Sequence, residues 1–515
     1  MNRPMKPAVT ADLGLRLDRG STQPLHEQLF QQLGTRIADG TLPVGYRLPP
    51  SRSLAELTGV NRNTVVRAYA ELESAGFVAS STGRGTFVAA PAPEQPAPAA
   101  PLSESGLPWQ ALLSQALSAS PDSFLQRKAV PSGRDLINLA RLQPEPALIP
   151  DELLRRCMDH VLRRYGAAAL GYAPPEGLPR LRELIRDHLA HHGVPARVED
   201  ILVTSGSQQG IDLVARALIN PGDPFLVDSA TYTGAIKLLT VAGAQLIAVP
   251  SDEQGPDLAA LARLGRAGTK GYYLIPRSHN PTSSCISAER RFELVAWSQR
   301  SAIPLIEDDY AIDLQLGAAP PCTPALRALD ADVIHIGSFS KCLAPGLRIG
   351  FVLCPPALQP MLVQLKHAFD LGTSPFLQQV LAEFLERGYL RAHLGRTLPE
   401  YRVRRDALCS ALQQHLPAGF PFTKPPHGVV LWLPLPARLS PNACYEEALR
   451  RGVVVSPSSL FAVDSQQVRG LRLAYCAERP ERLVEGARRL AEALRAVLRR
   501  AVPDATSSGD LLGSV

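Results

Sequence analysis

Residues 332–350 read DVIHIGSFSKCLAPGLRIG, and the rest of the chain is best understood from this stretch. Val333-Ile334-His335-Ile336 has the β-branched, apolar character of a buried strand. The strand breaks at Gly337 into Ser338-Phe339-Ser340-Lys341, followed by Pro345-Gly346 and Arg348. A lysine just past a strand end, set among hydroxyls and an arginine, suits a phosphate-bearing aldehyde. The amine condenses with the aldehyde, and Ser338, Ser340 and Arg348 hold the phosphate. Lysine fits the first task because burial and nearby cations lower its pKa, whereas arginine stays protonated. A polar turn with a solvated lysine is the plain alternative, and this segment alone does not separate the two.

Outward from it, apolar strand candidates alternate with amphipathic helices from Asp135 onward, the pattern of a doubly wound α/β domain. Strands are expected at 201–204, 224–227, 245–249, 271–275, 304–306, 333–336 and 351–353, with helices such as 208–219 and 288–298 between them. The polar motifs fall just after strand ends, where open α/β sheets bind ligands. Thr204-Ser205-Gly206-Ser207-Gln208-Gln209 opens a helix, so it is either a phosphate site or ordinary capping. Glu307-Asp308-Asp309-Tyr310 offers consecutive carboxylates that could bind a divalent metal, pair locally, or face a protonated ring nitrogen. In the last case the ring becomes an electron sink. A metal is the weaker reading, because no histidine or further acid lies close in sequence, and no metal ligand is assigned. In Ser278-His279-Asn280-Pro281-Thr282 the Asn-Pro pair signals a turn. The Asn280 amide and the Tyr310 phenol could both bond an oxygen on such a ring. Tyr232 could stack on it, or be a surface turn residue.

The N-terminal region has a different design. Leu25, Leu29, Leu33 and Ile37 recur at helical spacing, and Gly40 ends the pattern. After Pro49-Pro50, Ser51 is the expected N-cap of a helix over 52–58. Gly59-Val60 then forms a turn, and Asn61 caps a helix over 62–74. This is the helix-turn-helix order, with the second helix as reader. Phe77-Val78, a Ser80-to-Gly85 turn and Thr86-Phe87-Val88 form a two-stranded wing with Arg84 at its tip. Arg62, Asn63 and Thr64 occupy the reader's first turn, Arg52 starts the preceding helix, and a Gly-flanked Arg84 could enter a minor groove. Ten Lys/Arg against seven Asp/Glu in residues 1–90 lend weak electrostatic support.

Length and composition agree with two or three domains. The 515 residues are 45% hydrophobic and 20% charged, ordinary for globular domains, and a net charge of +6 is small for this length. Eight cysteines without a CxxC pair exclude a ligand-spaced zinc motif and suggest free thiols in a reducing cytosol. No signal-peptide core and no run of 18 apolar residues occurs, so a soluble cytoplasmic protein is expected, without a membrane partner. The Pro/Ala-rich run at 89–101 marks a semi-rigid linker. About 40 residues of such a connection would span roughly 35 Å even as a flexible coil, enough for one subunit's head to rest on its partner's body. A short amphipathic stretch is expected at 109–117, and a last amphipathic helix at 478–500 carries Leu483, Ala487, Leu490, Leu494 and Val497 inward.

LPPSRSLAELTGVNRNTVVRAYAELESAGFV with GRGTFV resembles the winged helix-turn-helix of the GntR family of bacterial regulators. That likeness implies DNA contacts at Arg52, Arg62, Asn63, Thr64 and Arg84. Arg67 falls one position off a reader arginine of some relatives and is placed nearer phosphate. LGYAPPEGLPRLR, VTSGSQQG, SHNPT, EDDY, SFSKCLAPGLRIG and GLRLAY are similar to the fold-type I aminotransferases, which use pyridoxal 5′-phosphate. The likeness implies a large doubly wound, mostly parallel sheet with a smaller α+β subdomain. It makes Lys341 the aldimine lysine, Asp308 the partner of the ring nitrogen, Tyr310 and Asn280 the partners of the ring oxygen, and Tyr232 the stacking residue. Gly206, Ser207, Ser338 and Arg348 would hold phosphate, with Tyr172 from a second subunit, and Arg472 would clamp a substrate carboxylate bidentately. Spacing alone leaves Asp308 against Asp309 open, and Ser283 stands where a glycine is usual.

The combination resembles the MocR subfamily, implying a homodimeric, cofactor-dependent transcriptional regulator that senses pyridoxal phosphate or an amino compound by aldimine exchange. The alternative is a working aminotransferase with a DNA-binding head. The expected organisation is a head at 1–90, a linker at 91–131, a body at 132–503 and a disordered tail at 504–515.

Overall fold

Strands at the centre of a doubly wound sheet must be apolar on both faces, because helices cover both. Five such runs, from Pro224–Asp228 to Ile334–Ser338, lie side by side in parallel, and two further strands complete a seven-stranded sheet. The computed structural model describes residues 13–21, 23–81, 85–89, 109–112, 135–317, 323–463 and 468–501. They fall into two compact units, a head and a body, divided between Ala111 and Leu112.

In the body, β3 is Ile137–Asn138, β4 Ile201–Thr204, β5 Pro224–Asp228, β6 Gln245–Val249, β7 Tyr272–Leu274, β8 Leu305–Asp308, β9 Ile334–Ser338 and β10 Gly350–Leu353. The sheet order is β4-β10-β9-β8-β7-β5-β6, with only β10 antiparallel to its neighbours. Strands expected from the sequence are all present, two with the expected ends and the others with ends displaced by one or two residues. Two displacements bear on function. β8 runs on to Asp308 and β9 to Ser338, so both residues are held by the sheet itself. A smaller antiparallel sheet has β11 (Val430–Pro434) and β13 (Ser456–Pro457) on either side of β14 (Gly470–Ala474). β12 (Val453–Val454) pairs in parallel with β3, tying the start of the body to its C-terminal part.

Two glycines allow the ends of β4, β9 and β10 to converge. A Cβ on Gly337 would lie 2.2 Å from Cζ of Phe351, and one on Gly350 would lie 2.7 Å from the Ser207 nitrogen. With only hydrogen at these positions, the Gly206-Ser207 turn and the Ser338-to-Lys341 turn approach each other. The last helix, Pro480–Ala501, buries Leu483, Ala487, Leu490, Leu494 and Val497, as its sequence pattern requires. No helix among the described residues is long and apolar enough to cross a membrane.

The head contains α1 (Leu25–Ala38), α2 (Ser51–Thr58), α3 (Arg62–Ser74), β1 (Val78–Ser81) and β2 (Gly85–Val88). Gly59 ends α2 in a left-handed conformation at φ 66°, and Asn61 Oδ1 accepts the Asn63 N–H at 2.9 Å to start α3. Ser51 is not the N-cap that its position suggests. It is the first helical residue, and Pro50, whose fixed φ fits the entry, occupies the cap without a side-chain bond. β1 and β2 pair antiparallel as the wing, with the Ser80 and Thr86 strands in register. Arg84, most of the linker and the 504–515 tail lie outside the described residues. Of the stretch expected to be helical at 109–117, Trp109–Leu112 is described and is helical.

Gly337→Ala should therefore lower the stability of the body by about 1–3 kcal/mol, the usual cost of overpacking, measured by urea unfolding. An unchanged midpoint would show that Phe351 yields freely.

Candidate functional site

The C-terminal ends of β4, β5, β7, β8 and β9 deliver their loops to one cleft of about 670 Å³, counting its mouth. It is lined by Ser207, Tyr232, Asn280, Asp308, Tyr310, Ser338, Lys341 and Arg348, eight of the residues singled out from sequence. Leu142, Gln208, Ile275, Ser340 and Pro345 complete the wall.

Lys341 donates from Nζ to the Leu142 carbonyl at 2.8 Å. Burial lowers its pKa, and the nearby charges of Arg472 and Arg348 act in the same direction. A lysine so placed gives up its proton more readily and becomes a better nucleophile. Asp308 is fully buried at the end of β8. Its Oδ2 accepts the Tyr273 hydroxyl at 2.6 Å, while Oδ1 is buried without a partner among the described residues. Burial, with the charge of neighbouring Asp309, pushes this carboxyl up to about 6 in spite of the Tyr273 bond. Asp309 points elsewhere: both its oxygens accept from Arg277 Nε at 3.2 Å in a buried pair. The adjacent acids, equivalent in sequence, have separate surroundings.

Glu307 is occupied as well, and here the sequence argument against a histidine neighbour fails. β9 lies beside β8 with His335 opposite Glu307, and His335 Nδ1 is 3.0 Å from Glu307 Oε2. Strand pairing brings together residues 28 apart in the chain. Glu307 also accepts the backbone N–H groups of Leu326 and Arg327.

The Tyr310 hydroxyl donates to the Ser278 carbonyl at 2.8 Å. Burial raises its pKa, as it does that of Tyr232. Asn280 Oδ1 accepts from Arg472 Nη1 at 2.9 Å. Arg472 also donates through Nη2 to the Ala140 carbonyl and to Ser456, and it sits over the Phe461 ring at 4.7 Å. Its Nε is buried without a partner among the described residues, and burial lowers its pKa to about 10. Ser283, standing where a glycine is usual, adopts the left-handed φ of 56°, so the loop keeps the shape that glycine would favour.

The end of the cleft at the Gly206-Ser207 turn is a cup. Gly206, at φ 91°, precedes the helix Ser207–Leu218, whose first N–H groups face outward. Arg348 lies against Gly206, where a Cβ would come 2.7 Å from Nη2, and donates to the Ser205 carbonyl at 2.9 Å. Ser338 Oγ donates to Ser340 Oγ at 2.9 Å and accepts the Ser340 N–H at 3.1 Å. This cup has the donors for a phosphate. Tyr172 does not line the cleft and is 88% exposed. Tyr273 and the Leu142 carbonyl were not foreseen, the first because it sits in an apolar strand and the second because backbone has no sequence signature.

On the head, Arg52, Arg62, Asn63 and Arg67 are exposed and Thr64 is half-buried, around the start of α3. Arg52 lies 3.9 Å from Glu56, and Arg67 pairs with Glu71 at 3.2 Å. Arg47, which also escaped notice, bridges to Phe87 of the wing and packs on Gly85.

The head therefore has the form of a DNA-reading winged helix, and the body the cleft of a lysine-dependent cofactor enzyme. Two family models match the chain: "Aminotransferase class I and II" over residues 148–490, and "Bacterial regulatory proteins, gntR family" over residues 25–88. The chain is 30% identical to the probable rhizopine catabolism regulatory protein MocR of Rhizobium meliloti, over 94% of this chain and 96% of that one. It is 30% identical to the transcriptional regulator TauR of Rhodobacter capsulatus, over 92% and 98%. The body is similar to the crystal structure of LysN, an α-aminoadipate aminotransferase of Thermus thermophilus complexed with N-(5′-phosphopyridoxyl)-L-leucine. There the identity is 31% and the TM-score 0.69, over 76% of this chain and all of that one. The chain belongs to the MocR-type GntR regulators, in which a DNA-binding winged helix is fused to a class I and II aminotransferase body.

The Asp308 site predicts a pH-dependent stability. In the fold Asp308 takes up its proton near pH 6, against 3.8 when unperturbed. Above pH 6 the fold carries a buried charge that unfolding relieves, worth roughly 3 kcal/mol at 1.36 kcal/mol per pKa unit. Below about pH 4 both states are protonated and the cost disappears. In ligand-free protein, Asp308→Asn should thus melt higher than wild type at pH 7, and the difference should close by pH 4. An advantage independent of pH would rule out this origin.

Proposed function

We propose that this chain is a DNA-binding regulator whose body binds pyridoxal 5′-phosphate and reports an amino-compound effector to the head. The single observation that carries the cofactor reading is the buried Asp308 oxygen without a partner, set across one cleft from a lysine of lowered pKa. A pyridinium N–H would satisfy that oxygen, and its positive charge would favour the ionised carboxylate. When bound, the cofactor supplies an aldehyde that amines can engage and a ring that stabilises negative charge.

The chain's own residues then divide the work. Lys341 offers a primary amine to the aldehyde carbon, and its lowered pKa makes the neutral amine accessible. Asp308 keeps a proton on the ring nitrogen, and Tyr273 fixes its orientation. Tyr310 and Asn280 hold the ring oxygen, and Tyr232 stacks on the ring. Ser207, Ser338 and Arg348, with Gly206 giving room, hold the phosphate, joined by Tyr172 of a second copy in a homodimer. Arg472 takes an effector's anionic group, and its unpartnered Nε supports that role. An amine arriving with such a group competes with Lys341, so only an effector that binds one conformation of the body better than the other shifts the equilibrium. Residues 1–90 form the head, in which Arg52, Arg62, Asn63, Thr64, Arg67 and Arg84 contact DNA. A transaminase carrying a head would share every one of these cofactor residues, so the distinction rests on the DNA response.

Purified protein should show a visible absorption band that Lys341→Ala lacks. Arg62→Ala should weaken binding to the DNA upstream of its own gene by ~10–100-fold, the value of one good base contact. An amino compound that alters both band and DNA affinity should lose its effect in Arg472→Ala. A colourless wild-type protein would sink the cofactor half, and amino-group turnover without DNA binding would sink the regulatory half.

A further inference from the structure

Beneath the Lys341 turn lies a second cluster that the proposed function does not use. His188 in the last turn of the helix Pro179–His191 and His192 at its C-cap are four residues apart, so their side chains share one side of the helix. Asp313, five residues past Asp308 on the loop after β8, faces both. Its Oδ1 is 3.3 Å from His188 Nε2 and 3.0 Å from His192 Nε2, and the three candidate donor atoms lie within 4.8 Å of one another.

These separations have a specific meaning for metal chemistry. Ligands at about 2.0–2.1 Å from a tetrahedral zinc stand about 3.3 Å apart, the edge of the tetrahedron. The two measured separations are close to such edges. Two imidazoles four apart on a helix and one carboxylate from a separate loop form the three-ligand set that leaves a fourth position for water. Access is available, since the His192 side chain is 24% exposed and that of Asp313 only 4%. Two hydrogen bonds to one carboxylate oxygen would use the same atoms, and only ion binding separates the alternatives. A second group, Glu307, Asp309 and His335, fails this reasoning. It is fully buried, and its carboxylates are already engaged by Arg277 and by the backbone of Leu326 and Arg327.

We infer that His188, His192 and Asp313 form a site for a zinc-class divalent cation, with a fourth position open on the His192 side. The site joins the helix Pro179–His191 to the loop that follows Asp308 and carries Tyr310. The His188 ring also packs on Phe339, two residues before Lys341, with centroids 5.6 Å apart. The cation would brace the floor of the cofactor cleft without entering it.

The test uses the full-length chain, stripped with a chelator and desalted, then titrated with Co²⁺ alone. One equivalent should give the visible ligand-field spectrum of a low-coordinate site, and Zn²⁺ should displace it and raise the melting temperature. Loss of a direct ligand should weaken Co²⁺ binding at least as much as loss of an outer-shell partner, which costs 10–100-fold. His192→Ala and Asp313→Asn should therefore fall by tenfold or more. If Asp313→Asn does not fold, His192→Gln, which keeps a hydrogen-bond donor beside Asp313, stands in for it. The absence of a saturable spectrum would overturn the site. Undiminished binding in His192→Ala and His192→Gln would overturn it too. None of these readouts depends on whether the cleft above holds a cofactor.

Discussion

A carboxylate held out of water at the end of a parallel strand is the constraint on which the body depends. Asp308 has one oxygen satisfied by Tyr273 and the other by nothing among the described residues, and burial makes its ionised form costly. Such a group persists only where the surrounding structure fixes it or where a ligand repays the cost. The sheet provides the fixing. β8 extends to Asp308 itself, and its neighbours β7 and β9 are buried on both faces. The destabilisation has its source in a charge kept dry, and a cationic ligand would relieve it.

Around that point the loops converge because two glycines remove the side chains that would keep them apart. Gly337 yields to Phe351, and Gly350 yields to the Gly206-Ser207 turn. The cup built by Ser207, Ser338 and Arg348 follows from this close approach of backbone. It is a property of the strand ends together, and none of the three residues would suffice in another setting.

How much was legible in the sequence depends on how far apart the cooperating residues lie along the chain. The helix-turn-helix read well, because Gly59, Asn61 and the apolar positions of α3 are local signals of cap and core. The error at Ser51 is equally local, a proline displacing a serine from the cap. Lys341, Arg348 and the Ser207 turn were visible as short motifs after strands. The division of labour between Asp308 and Asp309 was not, since it is decided by Tyr273 and Arg277, more than 30 residues upstream. The His335–Glu307 pair and the place of Asp313 beside His188 and His192 were invisible for the same reason: strand register and packing create them, and only the four-residue spacing of the two histidines is written in the sequence.

The hydrogen bonds of two cations in the cleft have a mechanical consequence. Lys341 holds the carbonyl of Leu142, and Arg472 holds that of Ala140, within the segment that follows β3 at the start of the described body. The stretch from 140 to 142 is thus latched twice, by the amine that a carbonyl ligand would claim and by the guanidinium that an anion would claim. A molecule carrying both groups would unfasten both latches at once, and one carrying a single group would leave the other shut. The strap would then respond to the pairing of carbonyl and anion rather than to either alone, a coincidence detector made from two backbone oxygens.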